Sequence, residues 1–307
     1  MKLSVRALGA VIPLVALSVY ACTGEVPSTT PPVDAGPDVA LDSSSDSTTP
    51  DAAVDSANDV VADVSTPDAD AAPGFDVKSL TGLALWLDAA QGVTGSSAVV
   101  AWADESGNNN NAAMGTANYQ PALVASSIGA KPAIHFAGGT HLTIADSATL
   151  QWNTSDFYVA VVLKHTTAGS TYGTVFSKQN PGVNPFIGPG IFANYPQPSQ
   201  GTTLGGQIDL NHYISSSASG LNDNVARQFS FSRASGVISV RVNGTPTTGA
   251  SSTINIDAVG FALLLGANAA GGQAFTGDIG EIIAVKGAIA AGDVTKVETY
   301  LKGKYAL

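Results

Sequence analysis

A single cysteine, Cys22, stands in 307 residues, so no internal disulfide can staple this chain. Charge is scarce, at 12% of residues, and from Asp76 onward eleven Lys and Arg are scattered among thirteen acids. Such a dispersed, slightly acidic balance leaves no electrostatic footprint for nucleic acid. Glutamate is scarcer still: beyond residue 75 only Glu105, Glu281 and Glu298 occur, on what read as a turn, a strand and a helix. Hydrolysis of a glycoside needs two carboxylates across the scissile bond, about 5–5.5 Å or roughly 6.5–9.5 Å apart. The four histidines (135, 141, 165, 212) have no His-x-x-x-His spacing, and no Gly-x-Ser-x-Gly elbow singles out a nucleophile. Past the first residues, no apolar run approaches the roughly 20 residues that a membrane-spanning helix needs.

What is present divides the chain into three. In residues 1–21, Lys2 and Arg6 precede an uncharged run from Ala7 to Ala21, too short to span a bilayer and shaped as a secretory signal peptide. Val19-Tyr20-Ala21-Cys22 resembles a lipobox, which implies lipidation of Cys22 and anchoring by several acyl chains. Thr23 follows the cysteine in place of the aspartate that resembles an inner-membrane retention signal, so the resemblance implies export to the outer membrane or cell surface. The alternative is an ordinary cleaved signal with a stray cysteine beside it. Residues 22–75 are built of Ala, Asp, Ser, Thr, Pro and Val, with ten Asp and no Lys or Arg. Low hydrophobicity and one-signed charge cannot offset the entropy of ordering, so a disordered stalk is expected. Its four-residue aspartate beat would repel on a helix face and lacks the glycines of a calcium loop.

Residues 76–307 read as one all-β domain. Short apolar or alternating runs recur between Gly, Asn, Ser and Pro, among them Leu83–Leu87, Phe157–Leu163, Gln228–Ser232 and Ile279–Val285. Val237–Val242 alternates with period two and runs into Asn243-Gly244, a hairpin turn signal. This pattern predicts a two-sheet antiparallel sandwich. Only the end reads as helix: Val294, Val297, Tyr300 and Leu301 share a face, Asp293 is placed to cap the start, and Lys302 and Lys304 suit the dipole's negative end.

Leu85-Trp-Leu-Asp-Ala89, Trp102-x-Asp104-x-Ser-Gly-Asn108, Gln120-Pro121, Lys131-Pro-Ala-Ile-His-Phe136 and Phe275-Thr-Gly-Asp-Ile-Gly-Glu-Ile282 resemble, in that order, the bacterial LamG-like jelly-roll domain. The resemblance implies a concanavalin A-like jelly roll with a short terminal helix, found in surface proteins with carbohydrate-binding or adhesive roles. Many members carry an acid at the place of Gly280. The superfamily's hydrolases resemble one another in a Glu-x-Asp-x-(x)-Glu strand motif, which this chain does not have.

Two kinds of site are candidates. Asp104, Ser106, Asn108 and Asn110 alternate oxygen-bearing side chains around Gly107, a pattern suited to Ca2+, with Asp278 and Glu281 as further carboxylates; the same residues also make ordinary turns. A sugar platform is expected in the irregular stretch 180–213, from Phe186, Phe192, Asn194, Tyr195 and Gln197, with Tyr172 and Tyr213 nearby, whereas Trp86 and Trp102 sit in strand patterns and belong to the core. Three functions remain open: a lipid-anchored, non-enzymatic module contacting glycan or envelope protein, a degenerate polysaccharide-active enzyme, and a structural envelope component. An aromatic groove favours the first, facing carboxylates the second, a flat apolar face the third.

Overall fold

Strand-forming runs punctuated by turn residues fold into two antiparallel sheets in the computed structural model, which describes residues 74–168, 171–180, 186–195, 202–268 and 272–307. The signal, Cys22, nearly all of the stalk and Gln197 lie outside the described residues. With strands numbered along the chain, the first sheet runs in the order β15 (Thr245–Ser251), β14 (Val237–Val242), β13 (Arg227–Ala234), β8 (Phe157–His165), β17 (Thr276–Lys286), β6 (Lys131–Ala137) and β5 (Ala122–Ile128). Next to β6, β1 (Leu83–Asp88) takes the remaining length of the same edge of β17. The second sheet runs β12 (Tyr213–Ser215), β11 (Leu204–Gln207), β10 (Gly190–Ala193), β9 (Gly173–Ser177), β16 (Leu263–Leu265), β7 (Leu142–Ile144), β4 (Ala112–Ala113), β3 (Ala101–Trp102) and β2 (Val93–Thr94). This is the expected jelly-roll sandwich.

The Asn243-Gly244 signal makes the tight hairpin from β14 to β15: Val242 faces Thr245, and both turn residues take positive φ, 48° and 84°. Between the sheets lies the main core, holding Trp102, Trp152, Phe136, Phe157, Phe229 and Phe231, with Phe157 edge-on to Phe231 at 5.1 Å. Strand β8 does not alternate in polarity because both its faces are covered. Phe157, Val159, Val161 and Leu163 point into the sandwich, while Tyr158, Ala160 and Val162 lie under the terminal helix α1 (Ala291–Tyr305). Val297, Leu301 and Tyr305 supply the helix's buried stripe. Asp293 is not the cap: Ala290 occupies that position without a side-chain bond, and Asp293 lies in the first turn, where its carboxylate suits the dipole and pairs with Lys296 at 2.9 Å.

A buried polar cluster clamps α1 to the sheet. Glu281 sits where the edge of β17 changes partner from β6 to β1, next to a register shift at Gly280. Its carboxylate is fully buried and accepts from Trp86 Nε1 (2.7 Å), Tyr300 OH (3.0 Å), Lys304 Nζ (2.7 Å) and Tyr305 OH (3.2 Å). Lys304 also reaches Asp88 at 2.7 Å; burial lowers its pKa, but the two carboxylates more than compensate and hold it above the ordinary lysine value. Gly280 is explained by the same packing, since a Cβ there would meet the Tyr305 ring at 2.8 Å.

One core histidine makes stability pH-dependent. His165, at the end of β8, is buried against Phe275 (5.8 Å), and neither ring nitrogen has a hydrogen-bond partner among the described residues. Burial, then the nearby Arg227, pushes its pKa down to about 4. The stability tied to its neutral form is therefore intact above the unfolded pKa of 6.5 and is lost as pH falls towards 4, where it amounts to about 3 kcal/mol. In urea titrations, His165→Leu is expected to lose less stability than the parent chain between pH 7 and pH 4.5. An equal loss in both proteins would assign the acid lability to other groups.

Candidate functional site

The outer face of the first sheet is covered by α1; that of the second carries a cavity of about 470 Å³. Alternation along the strands builds it. Ile191 and Ala193 of β10, Leu204 of β11, Ile214 of β12 and Leu263 and Leu265 of β16 point into the core. Phe192, Gln207, Tyr213 and Leu264, interleaved with them, line the cavity. Ser177 ends β9 in the same wall, and the adjoining segments add Tyr172, Gln179, Phe186 and Tyr195. Leu210, Asn268 and Gln273 complete the described lining.

Glycines let the rings lie down. A Cβ on Gly190 would come within 2.6 Å of the Phe192 ring, and one on Gly205 within 3.0 Å of the Tyr195 ring, so bare backbone beneath each aromatic makes room for it. Tyr195 is the hub: its ring centroid is 5.3 Å from Phe192, 5.4 Å from Tyr172 and 5.9 Å from Tyr213, the last perpendicular to it. Burial, then the Tyr172 and Tyr213 hydroxyls and the Asp209 carboxylate, raise the Tyr195 pKa, so its phenol stays protonated. Towards solvent the rim is apolar, with Phe186, Leu210 and Tyr213 each more than a third exposed. Between the rings stand amides. Gln179 donates to Gly188 O at 3.0 Å and Asn268 accepts from Gly272 N at 2.8 Å, which sets the direction of both side chains.

Behind the wall, Lys178 points the opposite way from its cavity-lining neighbours Ser177 and Gln179. Its ammonium is fully buried and is held by Ala258 O and Phe261 O, both at 2.7 Å, and by Asp146 at 2.9 Å. Burial raises the Asp146 pKa, but the Lys178 hydrogen bond, the Gly260 N–H and the ammonium charge outweigh it and hold the carboxyl below its ordinary value. The cluster fixes the 258–261 segment that leads into β16 and Leu264.

Of the expected platform, Phe186, Phe192 and Tyr195 come together in this cavity. Asn194 does not join them. Its side chain is buried and turned inward, with Nδ2 donating to Thr167 O (3.1 Å), Ala168 O (2.6 Å) and Thr171 O (3.0 Å). At φ 60° it follows the last residue of β10, so the alternation that turns Phe192 towards the cavity no longer applies, and it ties Thr167 and Ala168 to Thr171. Stretch 180–213 is also not one loop, because β10 and β11 cross it. Ser177, Gln179, Gln207, Leu264 and Gln273 were not singled out from sequence. The legible signal was compositional: residues 166–177, 179–208 and 258–277 carry no charged side chain.

The oxygen-rich turn after β3 is a staple. Asp104 Oδ1 accepts from the amides of Trp86 (3.0 Å) and Ser106 (2.9 Å), and Oδ2 from Ser106 Oγ (2.8 Å) and Asn110 N (2.9 Å). Asn108 and Asn110 turn their NH2 groups, not their oxygens, towards β1: both donate to Ala84 O, and Asn108 also to Leu83 O at 2.9 Å. Asp278 is elsewhere, on β17, paired with His135 Nδ1 (2.6 Å), Ser127 Oγ (2.6 Å) and Lys164 Nζ (3.3 Å). Asp104 and Asn108 meet only through the Ser106 hydroxyl, Asp278 shares no partner with either, and among the described residues no three His, Cys, Asp or Glu side chains group as metal ligands.

No protein-family model and no curated protein matches the chain. Solved structures do. The binding domain of Paraclostridial Mosquitocidal Protein 1 aligns with TM-score 0.53 and 14% identity over 73% of this chain and 52% of that one, so the alignment spans about half of that structure. Domain 4 of AbnA, an extracellular arabinanase from Geobacillus stearothermophilus solved with arabinotriose, aligns with TM-score 0.52 and 16% identity over 71% of this chain and 99% of the domain. The Trypanosoma rangeli sialidase in complex with sialic acid aligns with TM-score 0.51 and 10% identity, over 73% of this chain and 33% of that chain. At these identities the likeness is one of fold, a β-sandwich found in carbohydrate-binding and glycosidase-related proteins.

Proposed function

We propose that this LamG-like domain binds carbohydrate in the cavity of its second sheet without transforming it, and is displayed at the cell envelope. The carrying observation is the lining itself: aromatic rings clustered about Tyr195, interleaved with amide side chains, and no carboxylate among the described lining residues. Rings present flat apolar surfaces to the C–H faces of sugars, and amides both donate to and accept from hydroxyls. An acid–base pair for glycoside hydrolysis has no counterpart there. Domain 4 of the arabinanase, of the same sandwich type, holds a short sugar chain, which is what a cavity of this size accommodates.

Display follows from the rest of the sequence. Lipid on Cys22 would hold the protein to the membrane and residues 22–75 would carry the domain clear of it, reaching glycan or a glycosylated partner. Calcium is outside this reading, because N–H and O–H donors occupy both oxygens of Asp104.

A glycan array probed with the parent chain, with and without calcium, tests the reading. Calcium-independent retention of a defined glycan class is expected. Tyr195→Ala and Tyr213→Ala are expected to weaken it at least about tenfold, or about 1.4 kcal/mol. Retention that survives both substitutions would move the site off this sheet, and a blank array would sink the carbohydrate reading.

A further inference from the structure

We infer that the cavity selects uncharged glycans, built of neutral hexose or pentose units, over chains bearing uronate, sialate, phosphate or sulfate; the inference rests on the carbohydrate reading and narrows it. No described lining residue is ionic. In sequence, the segments 181–185, 196–201 and 269–271 that adjoin these residues contain no Asp, Glu, Lys, Arg or His either.

The ionic groups closest in sequence to the lining are already committed. Lys178 lies between two lining residues, but its ammonium faces away and is spent on Asp146 and two carbonyls. Asp209 accepts from the backbone N–H groups of Asn211 and His212, at 2.7 and 2.8 Å, and lies 2.9 Å from His212 Nδ1. It is the charge close enough to bias Tyr195, and it is negative, so it opposes an anion. Even a protonated His212 would be offset by the carboxylate it touches.

An anionic sugar entering this site would leave bulk water and meet only neutral donors. Amide and phenol hydrogen bonds to it would lack the cationic partner that makes carboxylate and phosphate recognition strong. A purely apolar ligand is disfavoured for the converse reason, since it would leave the amide of Gln207 without a partner in the complex. A neutral polyol satisfies rings and amides together.

The test uses the parent chain in affinity electrophoresis against matched pairs, mannan with polymannuronate and dextran with dextran sulfate, in salt sufficient to screen long-range charge. For a backbone that is retained, the neutral member is expected to bind at least about tenfold more tightly than its anionic counterpart. Equal or tighter binding of the anionic member would overturn the selectivity while leaving the carbohydrate reading intact. Retention of no glycan in these pairs or on the array would overturn both. Gln273→Lys places a cation on an exposed position of the rim and is expected to close the gap at least threefold. An unchanged ratio would show that the missing charge is not what discriminates, and would overturn the inference too.

Discussion

Glu281→Ala is expected to cost about 3–5 kcal/mol, as removal of one partner from a buried ion pair does, and to lower Tm by on the order of 10 °C for a domain of this size. Four donors lose an acceptor at once: the Trp86 indole, the Tyr300 and Tyr305 hydroxyls and the Lys304 ammonium, the last left with Asp88 and the Tyr300 oxygen. The clamp joins the last turn of α1 to the strand at which the edge of β17 changes partner, so the apolar contacts of Val297, Leu301 and Tyr305 with Trp86, Tyr158 and Ile283 depend on it. Denaturant titration reads the effect as a lower midpoint at unchanged slope. Glu298→Ala, which removes a partly exposed partner of Arg241, supplies the comparison and is expected to cost about 1 kcal/mol or less. Equal losses in the two variants would mean that the cluster is not a clamp.

Lys178→Met is expected to cost about 1–3 kcal/mol and also to weaken glycan retention. Methionine fills nearly the same volume, so the loss reports the ammonium rather than a cavity. Without it, the carbonyls of Ala258 and Phe261 lose their charged donor, and the half-buried Asp146 carboxylate keeps only the Gly260 N–H and the Gln151 amide. Segment 258–261 is held by these bonds, and the strand that follows presents Leu264 to the cavity. Loosening it therefore displaces the wall without altering any lining residue. Thermal unfolding and glycan retention measured on the same preparation separate the outcomes. Lower stability with unchanged retention would confine Lys178 to the core, and unchanged stability would refute the account of its burial.

Much of the fold was legible because the residues that carry the family resemblance are the ones that hold the sandwich together. Asp104 staples its turn to β1, Asn108 bonds the carbonyls of the same strand, and Glu281 is the hub under the helix. These side chains read as candidate metal ligands because turn-stapling and cation-binding draw on the same oxygen-bearing residue types. Their spacing does not say whether the oxygens face a cation or an N–H. The site was legible only in part. Phe192 and Tyr195 stand out as aromatics between glycines, but Leu264 and Gln273 lie more than fifty residues beyond them and reach the same cavity only because β16 pairs with β9. Asn194 misled for a local reason: one residue past a strand end, with positive φ, it turns inward where strict alternation would place it differently.

By itself, the order of apolar and turn-forming residues determined a two-sheet sandwich, one tight hairpin and one terminal helix, since period and turn chemistry are local properties that each segment carries alone. Tertiary structure alone decided which sheet face the helix covers and which stays open. It also decided that Lys178 turns inward between two cavity residues, and that rings from separate strands meet about Tyr195. Those outcomes depend on strand pairing across long stretches of chain. Register sets which face of the sheet every side chain takes, and no local pattern encodes the partner.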